Sequence, residues 1–468
     1  MLRRLMFLVL FAMPGHLMAG EQTKPTHVAD LDVTFISRTP RYERLRASYY
    51  QRSDGMVGDV NPYLTEAEKQ KKRWPDEGEV VTFTAHVKNF GDVAVEAYEY
   101  LWMVDGKTMK RGISARLSPG QEHEFQLQWN WLNGPHAVSF QVDPLGQIRE
   151  ISTRNNQLTD RTDALTFHFH VEQSLYDYFQ TIRNSWGTYS WDDWAQSHVA
   201  LMNEMFRRAV YPTTPEGILE RVRLDKITIH KDGELDPEGT HAPEDWEWDG
   251  RWGFKRDYLN DNFYEKNPWA VEHEWSLIHE LGHQVGRIDL YCLDVAAAQN
   301  KVTGERYVSK TVDGMMHRGI YLPQHEVHFF CEHTAASFNR DKGVRRGFFG
   351  EYLMDIPQDN VLIFLNQKYE ALKNAEISVY QAKPFGYTEK IIEPPAKFTG
   401  RTTEAGEFPL PENPFGEINN WGTNGIFLIE VRAGEGAYFH WMEIVDFNLE
   451  YWRGNRIKAE YKLVMPVE

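Results

Sequence analysis

From about residue 30 to residue 170, apolar and polar positions alternate with a period of two. Val81, Phe83, Ala85 and Val87 form one run, and Tyr98, Tyr100, Trp102 and Val104 a second. Phe125, Leu127 and Trp129 form a third, and Val138, Phe140 and Val142 a fourth. Such alternation predicts half-buried strands, with turns at Asn89-Phe90-Gly91, Asp105-Gly106, Pro119-Gly120 and Asn133-Gly134. Short strands at this spacing predict an Ig-like antiparallel sandwich. The polar stretch 41–75 reads as a long insertion. Near residue 172 the period changes. Trp194, His198, Met202, Met205, Phe206 and Ala209 recur at helical spacing. Val222 to Ile229 alternates like a strand, and Asn267-Pro268 opens a second helix running through Trp275, Ile278 and Val285 to a stop at Gly286. A third helical stretch covers 323–339. Strands return at 361–365, 375–380, 425–431 and 456–461. The expected fold is multidomain: a β-sandwich over 21–171, an α+β unit over 172–356 and a second β-sandwich over 357–468.

The 468-residue length fits about three domains. Residues 1–20 differ in character: Arg3 and Arg4 precede the apolar run Leu5 to Met13, followed by Pro14-Gly15 and the small residues Ala19 and Gly20. This order is that of a secretory signal peptide, and the run is too short to span a bilayer. The expectation is a protein exported to the extracellular space or periplasm, with no membrane span. Its 68 acidic against 51 basic residues, a net charge of −17, argue against nucleic-acid binding. Cys292 and Cys331 are its two cysteines. They allow one bridge or two buried thiols, and both readings stand.

One segment carries specific chemistry: His279-Glu280-Leu281-Gly282-His283-Gln284-Val285-Gly286-Arg287-Ile288-Asp289. Residues four apart share a helix face, so His279 and His283 can offer both imidazoles to one ion. Glu280 lies about 100° around the helix, placed to reach a metal-bound water. Gly286 ends the helix, and Asp289 brings a carboxylate back as third ligand; Asp294 or a distant histidine are its rivals. Two imidazoles, one carboxylate and an open fourth position make a catalytic zinc site.

This segment resembles the metzincin metallopeptidases, whose extended motif is HExxHxxGxxH followed by a Met-containing turn. Asp289 in place of the last histidine is similar to the snapalysin-like and immune-inhibitor-A-type peptidases, and that resemblance gives Asp289 the third ligand position. It also places the Met-turn at Asp313-Gly314-Met315-Met316-His317, with either methionine as the floor beneath the metal. If Met315 is that methionine, His317 takes the place of the family's transition-state-stabilising Tyr, a catalytic role. The implied activity is a zinc-dependent endopeptidase acting on protein or peptide substrates, with substrate extended along an edge strand such as Val222 to Ile229.

The first sandwich resembles the CARDB adhesion-related module through Val87-Lys88-Asn89-Phe90-Gly91, Trp102 to Gly106, Leu117 to Gly120 and Val142-Asp143-Pro144 running to Glu150 and Asn155-Asn156. The last resembles a carboxypeptidase-regulatory or CnaB-type sandwich through 375–380 and Gly400 to Leu410. Both resemblances imply accessory modules, able to take a cell-surface or glycan ligand. Two rival functions follow: a non-enzymatic adhesion or glycan-binding protein, or a zinc hydrolase of another amide, such as a cell-wall or glycopeptide bond. Asp245-Trp246-Glu247-Trp248-Asp249-Gly250 imitates the start of a calcium loop, but Arg256 stands where a bidentate Glu is needed. It reads as a solvated acidic loop, with structural Ca2+ as the alternative. His325, Glu326, His328, Glu332 and His333 crowd one segment, read as packing around the site rather than as a second metal centre.

Overall fold

A computed structural model describes residues 23–42, 50–51, 57–58, 72, 74–235, 248–257, 266, 268–311, 314–317, 330–341, 350–385, 389–418 and 422–467. The segment 1–20 read as a signal peptide, most of 41–75, Asp245 to Glu247 of the calcium-like loop, Asp313, His325, Glu326 and His328 lie outside the described residues. The molecule is β-rich and multidomain, with several sheets and few helices.

The first unit is a two-sheet sandwich. Strands β1 (Leu31–Thr39), β2 (Val80–Asn89) and β5 (Glu122–Asn130) form one antiparallel sheet in the order β1-β2-β5. Strands β3 (Glu99–Val104), β4 (Lys107–Ile113), β6 (Ala137–Val142) and β7 (Gln157–Arg161) form the other, ordered β4-β3-β6-β7. The alternation sets the faces: Val81, Phe83, Ala85 and Val87 point inward with Trp102 and Phe140. Asp105 and Gly106 take positive φ, 51° and 74°, the conformation that joins β3 to β4 as a two-residue hairpin. β1 is buried along nearly its whole length. Leu31 and Val33 join the sandwich core, while Asp30, Asp32 and Thr34 are also buried.

The central unit holds a parallel sheet, β9-β8-β10, of β8 (Leu165–Glu172), β9 (Val222–His230) and β10 (Gly250–Phe254). All eight residues of β8 are buried, as expected of a middle strand covered on both faces. Helix α1 (Gln173–Tyr178) follows β8 directly. Helix α2 (Trp191–Arg208) starts where Ser190 caps it, accepting from the Asp193 N–H. Asp192 and Asp193 in its first turn and Arg207 and Arg208 in its last complement the helix dipole.

The expected single helix from 267 to 286 is broken. It forms α3 (Pro268–Glu272) and α4 (Trp275–Gln284), with Glu274 extended between them. The cause is His198 on α2, whose Nε2 accepts the Glu274 N–H at 2.7 Å, taking the donor that a continuous helix would use internally. Gly286 terminates α4 as expected, at φ 95°. Helix α5 (Glu332–Asp341) is the described part of the third helical stretch.

The last unit again has two sheets. β11 (Asp359–Leu365), β14 (Glu407–Leu410) and β17 (Lys458–Val464) are ordered β14-β11-β17. β12 (Glu376–Gln381), β13 (Phe398–Arg401), β15 (Ile426–Ala433) and β16 (Gly436–Glu443) are ordered β13-β12-β15-β16. An unanticipated helix, α6 (Ile444–Trp452), follows β16 behind a Glu443/Asp446 capping box. The sandwich at the N-terminal end has its own apolar core, whereas one contiguous core runs from Phe167 through Ile278 and Leu293 to Met465. The last unit is therefore packed into the centre rather than strung behind it. Among the described residues no helix is long and apolar enough to cross a membrane.

Candidate metal centre

α4 carries His279 and His283 one turn apart, and the chain reverses at Gly286 to bring Asp289 back to them. His279 Nε2 and His283 Nε2 lie 3.1 Å apart, and Asp289 Oδ1 is 2.9 Å from the first and 3.2 Å from the second. A zinc ion bound at the usual lengths holds its ligand atoms about 3.3 Å apart, so this triangle has the size the ion requires.

The proton positions lead to the same ion. His279 Nδ1 lies 2.7 Å from the Met315 carbonyl and His283 Nδ1 lies 2.7 Å from the Arg287 carbonyl. A carbonyl only accepts, so each Nδ1 carries the hydrogen and each neutral ring turns an Nε2 lone pair inward. Asp289 Oδ1, buried and without a hydrogen-bond donor, adds a third. Three facing lone pairs repel unless a cation sits among them, so the donor set fits zinc. The other Asp289 oxygen, Oδ2, accepts from the Tyr291 hydroxyl at 2.6 Å, which fixes the carboxylate plane. Glu280 is part-buried, its carboxylate within 4.8 Å of the ring nitrogens.

The segment Gly314 to His317 forms the floor, closed by the His317 N–H to Gly314 carbonyl bond at 2.9 Å. The two methionines divide the work. Met315 lends its carbonyl to His279, while Met316 packs against Gly282, where an added Cβ would meet Met316 Sδ at 2.5 Å. The Met316 carbonyl also accepts the Leu290 N–H at 2.6 Å, tying the floor to the 3-10 turn that Asp289 precedes. His317 is fully buried, and its Nε2 faces Asp294 Oδ1 at 3.3 Å. Asp294, the rival third ligand, is turned away from the imidazoles toward His317 and the Ser309 N–H.

Other expectations resolve as follows. Of the two readings left open for the cysteines, the structure has free thiols at Cys292 and Cys331, both with burial pushing the thiol up. β9, the expected substrate edge, lies against β1 of the sandwich, and Arg41 pairs there with Asp225 at 2.5 Å. It is β10, at the opposite edge, that packs against α4. Asp249 of the calcium-like loop spends Oδ2 on the Thr166 N–H and hydroxyl. His333 is core: Nε2 meets Asn448 Oδ1 at 3.1 Å, and burial pushes its pKa down to about 4. Glu332 pairs with Arg453.

Three positioning residues escaped the sequence reading. His198 fixes the start of α4, Tyr291 orients Asp289, and Lys390 reaches in from the last unit. The Lys390 ammonium is buried and donates to the Cys292 and Asp294 carbonyls, just beyond Asp289. Tyr291 alone was within sight, two residues past Asp289.

Residues 61–160 match the CARDB family, so a CARDB domain, a β-sandwich, occupies this part of the chain. The sandwich extends further toward the N-terminus than that match, because β1 pairs with β2. No curated protein matches the chain. Among solved structures, a CARDB domain from Pyrococcus furiosus in complex with di-metal ions is 22% identical, covering 18% of this chain and 77% of that one at a TM-score of 0.18. A domain of a putative cell surface protein from Methanosarcina acetivorans is 16% identical, covering 29% and 90% at 0.19. A family 2 β-glucuronidase is 9% identical, covering 79% and 49% at 0.20. At such scores none of these superpositions carries a functional argument.

Proposed function

We propose that the chain is an exported zinc-dependent endopeptidase of metzincin-like type, with zinc held by His279, His283 and Asp289. The observation that carries this reading is the convergence of Nε2, Nε2 and Oδ1 within 3.2 Å, each presenting a lone pair to the others. A bound zinc supplies Lewis acidity toward the scissile carbonyl and lowers the pKa of water toward neutrality. The Glu280 carboxylate takes the proton of the attacking water and returns it to the leaving amine nitrogen. Met315 and Arg287 keep both imidazoles in the tautomer that leaves Nε2 bare, through their carbonyls. Tyr291 keeps Asp289 Oδ1 turned inward. His317 acts from beneath by bracing Asp294, since its ring is shut away from solvent.

Glu280→Gln tests the assignment. Casein cleavage should fall by about 10²–10⁴-fold while zinc content stays at the wild-type level. Cleavage at the wild-type rate by that variant would remove Glu280 from the chemistry. Zinc retention with no hydrolysis of any peptide by the wild-type protein would favour the adhesion reading.

A further inference from the structure

The chain between Asp289 and the floor has little regular structure of its own. Among the described residues it holds two short 3-10 turns, Leu290–Leu293 and Ala297–Gln299, and an isolated pairing of Val295 with Tyr307. Such a connection keeps its conformational freedom unless neighbours fasten it. Here the last unit supplies the fastenings. Lys390 is 1% exposed, and its ammonium donates to the Cys292 and Asp294 carbonyls. Carbonyls at the end of a helical turn lack an internal donor, and a lysine head can cap them. Two residues on, the Ile392 N–H donates to the Gln299 carbonyl at 3.0 Å, and the Ile392 carbonyl accepts the Lys301 N–H at 2.7 Å. Farther along the loop, Glu443 Oε1 accepts the Tyr307 hydroxyl at 2.6 Å and the Lys310 N–H at 3.0 Å. The Tyr307 ring stacks on Trp441 with 4.6 Å between centroids, and the Lys310 ammonium pairs with Asp446 at 2.9 Å.

These fastenings act on the groups that shape the candidate metal centre. The turn that Lys390 caps follows Asp289 directly and contains Tyr291, the hydroxyl donor to Asp289. Asp294, whose carbonyl Lys390 takes, turns its carboxylate to the Ser309 N–H at 2.9 Å and to His317 Nε2 at 3.3 Å. One lysine therefore reaches the Asp289 end through the main chain and the floor through Asp294. Apolar packing is enough to dock two units, whereas a buried ammonium and the fully buried Glu443 carboxylate are tolerated only where hydrogen bonds fix their positions. We propose that the last unit is a clamp for the candidate metal centre, with Lys390 and Glu443 as positioning residues that hold Asp289 and the Met315–Met316 floor in register. Its effect on zinc rests on the metal reading given above; its grip on the loop does not.

The test uses the full chain. Amide hydrogen exchange across 290–301 is followed in metal-free protein, and zinc affinity is then read by competition with a chelator. Lys390→Met removes the ammonium and keeps an apolar stem. Tyr307→Phe keeps the ring on Trp441 and removes the bond to Glu443. Ile377→Val, in the core of β12, is the control for general loosening of the last unit. Lys390→Met should speed exchange across 290–301 by about tenfold or more and weaken zinc by about 10–100-fold. Tyr307→Phe should move both in the same direction by less, and Ile377→Val should lower Tm while moving neither. Unchanged exchange in Lys390→Met and Tyr307→Phe would overturn the clamp, and so would a loosened loop with wild-type zinc affinity. Equal effects from Ile377→Val would reduce Lys390 to a stability role and overturn it too. If Lys390→Met fails to fold, Tyr307→Phe decides. Wild-type protein that takes up no zinc would sink the metal reading, while exchange in the metal-free chain still decides whether the last unit grips the loop.

Discussion

The His279–His283–Asp289 triad and the acidic cluster of Asp30, Asp32 and Asp193 under β1 set the same physical problem, buried acceptors facing one another, in two different ways. His279, His283 and Asp289 come from one segment of eleven residues, with both ring tautomers fixed by backbone carbonyls. Asp30, Asn155 and Asp193 come from three places, 125 and 38 residues apart along the chain. The first arrangement is written into one helix and its stop. The second exists only once a sandwich has docked on a helix. A local site survives as a sequence motif, whereas an assembled one leaves no spacing to read.

The largest separation between the two regions should come from acid. His198, beside the start of α4, is pushed down to about 3 by burial. Its folded pKa lies below the unfolded value near 6.5, so the unfolded state takes the proton first. The stabilisation it gives is complete above about pH 6.5 and is lost as pH falls toward 3, on the order of a few kcal/mol. The cluster has the opposite sign. Asp193 and Asp30 have folded values above their unfolded ones, so their contribution is full below about pH 4 and is lost as pH rises through 6 to 7. Melting curves of wild type and His198→Gln between pH 4 and 8 should therefore converge at the acid end. A gap that stays constant across this range would contradict the burial of a neutral His198.

Tyr291→Phe comes next. Losing the hydroxyl that orients Asp289 should weaken zinc binding by about 10–100-fold, read by competition with a chromophoric chelator, with little change in Tm of the zinc-loaded protein. An unchanged zinc affinity would mean that Asp289 is held by the fold alone. The smallest effect is expected from Gly282→Ala. Its Cβ would press Met316 Sδ, and relief by the flexible thioether should limit the cost to about 1 kcal/mol, measured by denaturant unfolding. A loss of several kcal/mol would show that the floor beneath the imidazoles cannot give.

How much was legible follows the same division. Alternation at 81–87, 125–129 and 138–142 gave the sandwich strands because one face of each is buried and the other wet. The break between α3 and α4 was invisible, because its cause is a histidine on another helix. Either Met315 or Met316 could be named as floor, but only packing separates the one that lends a carbonyl from the one that fills space against Gly282. The last unit read as an accessory module through its resemblance to a carboxypeptidase-regulatory or CnaB-type sandwich. Its involvement shows in the shared apolar core and in Lys390, a buried lysine that reaches the Cys292 and Asp294 carbonyls just after Asp289.

The most direct test of the central claim is metal content and casein cleavage measured on the same samples of wild type and Asp289→Ala. The account predicts about one zinc per chain and hydrolysis in the wild type, with both reduced in the variant. Wild-type protein that holds no zinc when purified without chelators and refolds no activity on zinc addition would contradict it.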